Sequence, residues 1–367
     1  MKILHCADLH LDSKMEANLS KEKAKIRKNE LLQTFVRMVD YAYNNDIDAI
    51  IIAGDLFDTK TVSATARNVV YDAICKYPEI EFYYLRGNHD ENSFLNALEE
   101  VPNNLKLFGE SWIEYAPKNS KKVRIFGAEI NKENTNKLYN SLVLDNDKFN
   151  IVVLHGQESE YKGKDKTEII NLGALKYKGI DYLALGHIHS YKEGNLDARA
   201  KYCYCGCIEG RGFDECGEHG FVVLEIDEEK RSYENRFVPF AYRNVYEKEV
   251  DITDCMTSVE IAYAVEQALD EENYSENSLV KIVLVGNIDV ECEKNIEFVL
   301  ERVVHRFFFV KIYDHSKIVV NYDDFMLDMS LKGEFVRIVK ASEDLDEEMK
   351  SEVIRMGIQA LAEMEIE

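Results

Sequence analysis

Long apolar runs are missing from this 367-residue sequence, and no stretch approaches the roughly 18–20 residues that a membrane-spanning helix needs. The opening residues, Met1-Lys2-Ile3-Leu4-His5-Cys6-Ala7-Asp8, turn polar too soon for a secretory leader. With only four prolines and 18 glycines, collagen-like and low-complexity classes are excluded. There is no C-x-x-C pair, so the eight cysteines are expected as reduced thiols with structural roles. Their one cluster, Cys203, Cys205 and Cys207, has the period that places all three on one face of a strand. No G-x-x-x-x-G-K-[ST] phosphate loop occurs, so any ATP dependence must come from another chain. These absences point to a cytoplasmic protein with no membrane partner.

What is present is the balance of a soluble globular chain, 46% hydrophobic and 31% charged, long enough for two or three domains. The net charge of −23 looks hostile to a polyanion. Its distribution changes that view. Residues 241–367 carry 13 basic and 29 acidic side chains, a net of −16, against 32 and 39, a net of −7, in the first 240. A polyanionic substrate is therefore steered toward the N-terminal part.

Five short apolar runs, Ile3–Ala7, Ala49–Ala53, Glu81–Leu85, Asn150–Leu154 and Tyr182–Leu185, read as strands covered on both faces. Between the first two, Ile26, Leu31, Phe35, Val36, Val39 and Tyr43 recur at helical spacing over Lys23–Asn45. A second helix is expected over Thr61–Lys76, with Ser63 as its cap. Strands thicken from Val123 to Val223, which suggests a second sheet packed on the first. Residues 245–320 read as strand, helix, strand, helix, strand, with Glu291–Arg306 as the second helix. Two further helices follow, Gly333–Lys340 and Asp346–Met364. Met349, Val353, Met356, Ala360 and Met364 line one side of the last.

A polar cluster follows each of the five apolar runs: Asp8-Leu9-His10, Gly54-Asp55-Leu56-Phe57-Asp58, Gly87-Asn88-His89-Asp90, His155-Gly156 and Gly186-His187-Ile188-His189. Ligands bind at the carboxyl ends of strands in open α/β sheets, so five strand ends would converge on one site. Five of the nine histidines fall there. Asp8 and His10, at i and i+2, project to one side of an extended segment, and His187 and His189 repeat the spacing. Mixed carboxylate and imidazole donors without thiolate suit Mn²⁺, Fe²⁺ or Zn²⁺. Seven candidate ligands, Asp8, His10, Asp55, Asn88, His155, His187 and His189, exceed the needs of one ion and match two.

With these motifs in order, the sequence resembles the calcineurin-like metallophosphoesterase superfamily, and within it the Mre11/SbcD-type nuclease subunits. Ala7-Asp8-Leu9-His10-Leu11 and Gly54-Asp55-Leu56-Phe57-Asp58 match the nuclease branch closely, as does Glu209-Gly210-Arg211-Gly212-Phe213 with the closing His219-Gly220-Phe221. The resemblance implies a four-layer αββα sandwich over residues 1–240 and a small α/β capping domain over 245–320, while the C-terminal helical segment over 325–367, read from its own pattern, either packs on the body of the chain or docks an ATPase partner. The resemblance gives one divalent ion to Asp8, His10 and His189 and a second to Asn88, His155 and His187, with Asp55 bridging. His89 takes the place of the catalytic histidine, and Asp90 is expected to orient its imidazole. Where some members have histidine after G-D-L-F, this chain has Asp58, expected to support the metal ligands.

The implied activity is metal-dependent cleavage of DNA in double-strand-break repair, by a homodimer working with a Rad50/SbcC-like ATPase. Lys14, Arg199 and Arg211 are candidate substrate contacts, beside the basic run Lys21, Lys23, Lys25, Arg27 and Lys28 and the surface lysines Lys118, Lys121, Lys122 and Lys201. The alternative within the superfamily is a phosphoesterase for small phosphodiesters or phosphomonoesters. A third reading, a binding scaffold with a vestigial metal site, is disfavoured because all seven ligands are present.

Overall fold

The structure is a computed structural model that describes residues 1–15, 19–58, 61–90, 93–98, 100–131, 133–158, 169–322, 325 and 327–364. It divides into two compact units, residues 1–244 and 245–367. In the first, alternation within the apolar runs builds two facing sheets. Leu4, Cys6, Ile50, Ile52, Phe82 and Tyr84 point to one side, where Leu31, Leu32, Phe35, Met38, Val39 and Ala42 of the helix Lys21–Asn44 and Val70 and Ile74 of the helix Ala64–Lys76 cover them. Their neighbours Ile3, Ala7, Ala49, Ile51, Ala53, Tyr83 and Leu85 point to the other side, against Ile125, Ile151, Val153, Tyr182, Ala184 and Cys203 of the second sheet. The outer face of that sheet, Phe126, Val152, Leu154, Leu183 and Leu185, is buried with Leu138, Tyr139 and Leu175 of two short helices. The result is helix, sheet, sheet, helix. Strands buried on both faces are nearly continuous in apolar residues, which is why the five runs show no regular polar alternation, with His5, Glu81 and Asn150 as buried exceptions.

The first sheet runs Ser232–Pro239, Gly220–Asp227, Lys2–Cys6, Ala49–Ala53, Glu81–Leu85, Leu105–Leu107. The second runs Lys192–Asn195, Lys201–Tyr204, Tyr182–Gly186, Phe149–His155, Val123–Gly127, Ile113–Tyr115. Lys2–Cys6, Ala49–Ala53 and Glu81–Leu85 are mutually parallel, as are Val123–Gly127, Phe149–His155 and Tyr182–Gly186. One expectation is corrected: Gly220–Asp227 does not extend the second sheet but returns to pair antiparallel with Lys2–Cys6 of the first. Ser20 and Ser63 cap the two long helices by accepting from Lys23 N and Ala66 N. Ile26 and Tyr43, expected on the buried stripe of the first helix, lie exposed at its flanks, and Met38 and Ala42 take the inner face.

In the second unit, Val245–Asp251, Leu279–Val285 and Phe309–Asp314 form a parallel sheet. Helices Ser258–Asp270 and Ile296–Val303 connect its strands and cover one face with Ile261, Val265, Val299 and Val303. The second of these is shorter than expected, because residues 287–289 form a strand of their own and Asn295 caps the helix behind them. The terminal helices Leu331–Lys340 and Glu347–Met364 share a core with Val290, Val320 and Phe325. On the last helix Ile354 and Ile358 face inward, while Met349 and Met356 are 51% and 59% exposed, so the expected methionine stripe is not the packed face. The side chain of Met364 lies outside the described residues. No described helix is long and apolar enough to cross a membrane.

Candidate metal centre

The loop after Lys2–Cys6 and the loop after Ala49–Ala53 run side by side, with Asp8 N donating to Gly54 O, His10 N to Asp55 O and Leu11 N to Leu56 O. Their acids are not in the extended conformation that the i, i+2 spacing suggested. Asp8, His10, Asp55 and His187 have φ of +50°, +44°, +52° and +95°, the left-handed region that costs a non-glycine residue free energy. Strain at four candidate ligands within one cluster marks a place where geometry was selected over comfort. Gly54, at φ +95°, cannot be replaced freely: a Cβ there would sit 2.0 Å from His155 Nδ1.

All seven expected ligands meet. Asp8, His10 and His189 bring one ligand atom each within 4.8 Å of one another, and so do Asp8, Asp55 and His155. Asp55 Oδ2 lies 3.6 Å from His10 Nε2 and 3.5 Å from His155 Nε2, between the two halves. Asn88 Oδ1 is 3.1 Å from His155 Nε2 and 3.3 Å from His187 Nδ1. The backbone N–H of His187 donates to both carboxylate oxygens of Asp8 at 2.9 Å.

Hydrogen-bond logic then fixes which nitrogens carry lone pairs. His10 Nδ1 is 3.0 Å from Asp58 Oδ1 and His189 Nδ1 is 2.6 Å from Glu215 Oε1, so both donate through Nδ1, and in the neutral ring the lone pair is then on Nε2. Those two Nε2 atoms face each other at 3.1 Å. In the other half, His155 Nδ1 donates to Ala53 O at 2.9 Å, and its bare Nε2 faces the carbonyl oxygen of Asn88. Acceptors aimed at acceptors repel unless a cation lies among them. The donor set therefore fits two divalent ions, one in each half, and both halves lack thiolate.

Charge and burial pull on these groups in different directions. Burial opposes ionisation of Asp55, but His155 and His10 beside it hold its carboxyl well below the usual range. Burial lowers the pKa of His10, against the pull of Asp58. His189 also loses hydration, yet Glu215 and Asp8 raise it overall.

His89 is 44% exposed, with its ring 5.0 Å from that of His10 and its Nδ1 3.4 Å from Asp58 Oδ1. Its partner is thus Asp58 and not Asp90, which corrects the sequence reading. The Asp90 carboxylate turns away and accepts from the backbone N–H groups of Leu56, Phe57 and Gly87 at 2.9–3.1 Å, tying two loops together. Burial and the nearby Asp55 charge push its pKa up to about 6, against those three donors.

The basic residues divide. Arg199 makes a bidentate pair with Asp181, at 2.7 and 2.6 Å, at the end of Tyr182–Gly186 opposite to His187. It is not brought to the metal ligands, and its guanidinium is already engaged by that carboxylate. Arg211 is beside the site, but its guanidinium is held by Glu215 and Asp58 at 3.0 and 3.3 Å. Arg27 is buried between Glu30 and Glu209, and Lys28 pairs with Asp12. Lys14, Lys21 and Lys25 are exposed. Glu215 was not singled out from sequence; its only local signal is the i, i+4 spacing from Arg211. Cys203 and Cys205 enter the core between the sheets, whereas Cys207 lies past the strand end beside His219, so the three do not share one face.

Residues 1–191 match the family model described as calcineurin-like phosphoesterase. The chain is 27% identical over 299 residues to an uncharacterized metallophosphoesterase, YhaO of Bacillus subtilis, covering 78% of this chain and 72% of that protein. It is 26% identical over 272 residues to the SbcD component of the nuclease SbcCD of Staphylococcus epidermidis, covering 65% and 69%. A DNA double-strand break repair protein Mre11 of Sulfolobus acidocaldarius is 26% identical over 220 residues, which span 54% of this chain and 52% of that one.

Proposed function

The chain belongs to the calcineurin-like phosphoesterase family, a membership that implies metal-dependent hydrolysis of a phosphoester, and from that premise we propose that it is a DNA nuclease subunit of the Mre11/SbcD type. One observation carries the chemistry: two sets of lone pairs converge on two points with Asp55 between them. Asp8, His10 and His189 would hold one ion, and Asn88, His155 and His187 the other, with Asp55 shared. This mixture of imidazole and carboxylate accepts manganese, iron or zinc, and manganese is the choice that the resemblance to the nuclease branch implies. When bound, such a pair supplies Lewis acidity toward phosphate oxygens and makes water a nucleophile near neutral pH.

The protein's own groups do the rest. Asp58 Oδ1 lies 3.4 Å from His89 Nδ1, and with that nitrogen turned to the carboxylate, Nε2 would be the atom that hands a proton to the departing oxygen. Asp90 keeps the His89 loop against the Asp55 loop, so proton donor and ligands move as one. The exposed Lys14, Lys21 and Lys25 are available to phosphates along a polymer, and most of the opposing negative charge lies beyond residue 240.

DNA is the substrate suggested by the named functions of two relatives, and a Rad50/SbcC-like ATPase the partner. In this reading residues 245–320 serve as the capping domain and the chain works as a homodimer. The helices Leu331–Lys340 and Glu347–Met364, which leave Leu331, Ile338, Met349 and Met356 exposed, receive the ATPase.

The test offers duplex DNA, single-stranded DNA and a chromogenic phosphodiester in parallel to the purified chain with Mn²⁺, with and without the ATPase. Metal-dependent DNA cleavage is expected. Turnover of the small ester with both DNAs intact under every condition would replace the nuclease with a small-molecule phosphodiesterase.

A further inference from the structure

Next to the ion position of Asp8, His10 and His189 lies a second group of metal-ligating side chains: His189, Cys207 and Glu215 also bring ligand atoms within 4.8 Å of one another. Its internal bonding argues against a third ion. His219 Nε2 donates to Glu215 O at 2.7 Å, so His219 Nδ1 is the acceptor that the Cys207 thiol meets at 3.2 Å. The sulfur therefore carries its proton and is not a ready ligand. Glu215 is already neutralised: Arg211 places Nη2 3.0 Å from Oε1 and its backbone N–H 2.7 Å from Oε2. An added cation would have to displace a guanidinium that is itself held by Asp58.

We propose instead that Glu215, locked in place by Arg211, is a positioning residue that fixes the ring and tautomer of His189 for the ion shared with Asp8 and His10. This rests on the two-ion reading above and deepens it. A carboxylate behind a ligating imidazole keeps the proton on the far nitrogen and aims the near one. Arg211 joins that support to its counterpart, because the same guanidinium reaches Asp58, which holds His10. Both imidazoles on this side are thus braced by carboxylates pinned to one cation, whereas His155 in the other half leans on a backbone carbonyl. Removing Glu215 should consequently affect one ion and spare the other.

The full-length protein, stripped with chelator, is titrated with Mn²⁺ by calorimetry and with Co²⁺ by absorption. Wild type is expected to take up two ions. Glu215→Ala should still bind two, with one weakened about 10–100-fold and the other unchanged. Glu215→Gln, close in shape and still able to accept from His189 Nδ1, should fall between, and it carries the test if the alanine variant does not fold. Arg211→Met should weaken the same ion by less. Unchanged affinity for both ions, or equal weakening of both, overturns the positioning role. A third cobalt equivalent with a thiolate-to-metal band overturns it in favour of a Cys207 site. Fewer than two ions in wild type would instead sink the two-ion reading from which the proposal starts.

Discussion

Acids and glycines follow parallel strands in both units of the molecule, yet among the described residues only the first unit turns them into a cluster. In the second, Asp251 ends Val245–Asp251 and accepts from Thr253 N and Oγ1 at 3.0 and 2.6 Å. Asp314 ends Phe309–Asp314 and accepts from Ser316 N and Oγ at 3.0 and 2.6 Å, with Lys294 alongside. These carboxylates are satisfied by their own turns, and neither residue is left-handed. In the first unit Asp8 and Asp55 are left-handed, and the bare nitrogens around them face other acceptors. Residue type at a strand end does not distinguish a site from a turn. What distinguishes them is a gathering of imidazole nitrogens and carboxylate oxygens at close range, held there by left-handed backbone.

The sharpest way to break this contrast is to neutralise one acid in each unit. Asp55→Asn should abolish phosphoester hydrolysis and, in the two-ion reading proposed above, loosen both ions together, since the residue touches both halves. Asp251→Asn should change neither metal content nor turnover. Two tightly held ions and full activity in the first variant would erase the distinction. His89→Ala comes next. Its side chain stands at the mouth and not among the seven ligands, so kcat should fall at least about 100-fold while metal analysis still finds two ions.

A milder comparison uses glycine. Gly54 and Gly286 both follow central strands, at φ +95° and +106°, and a Cβ on the latter would lie 2.3 Å from Asp251 Oδ1. Alanine at either position should cost about 1–3 kcal/mol of stability in chelated protein, from strain and displacement. Only Gly54→Ala, which pushes on His155, should also weaken metal binding in calorimetry. Equal metal affinity in the two variants would mean that His155 has room to move.

How much of this was legible in the sequence depends on whether a feature is local. The strand ends were, because each run of apolar residues is followed at once by its acid or histidine, and all seven candidates converge. The conformations of Asp8 and His10 were not, since Asp and His are enriched in the left-handed region but seldom adopt it, so residue type gives only a weak signal. Asp90 was assigned to His89 by adjacency, but its carboxylate is drawn into the protein by three backbone donors from two loops. Arg199 looked free because its acid, Asp181, precedes it by eighteen residues. Glu215 was passed over for a similar reason: its partner His189 lies 26 residues away. The return of Gly220–Asp227 to the first sheet is likewise a choice made by long-range pairing.

The smallest expected effect asks whether the first unit's tolerance for stressed imidazoles extends beyond the cluster. His5 is fully buried in Lys2–Cys6, with Nδ1 3.0 Å from Tyr182 Oη. Burial pushes its pKa down to about 3, against a weaker opposing pull from the Leu185 backbone. The neutral form is therefore the folded form. Above about pH 6.5 the ring is neutral in folded and unfolded chains alike and contributes nothing to pH dependence. As pH falls through 6.5 the unfolded chain takes up a proton that the folded one refuses, so stability drops until about pH 3. By pH 5 the loss from this residue should be about 2 kcal/mol. Trp112 is the only tryptophan and lies in the first unit, so its fluorescence during urea unfolding in chelator follows that unit alone. The stability difference between wild type and His5→Gln should shift by that amount from pH 7.5 to 5, against wild type. A difference that stays flat would mean the buried ring is protonated in the fold, and that the stress is confined to the strand ends.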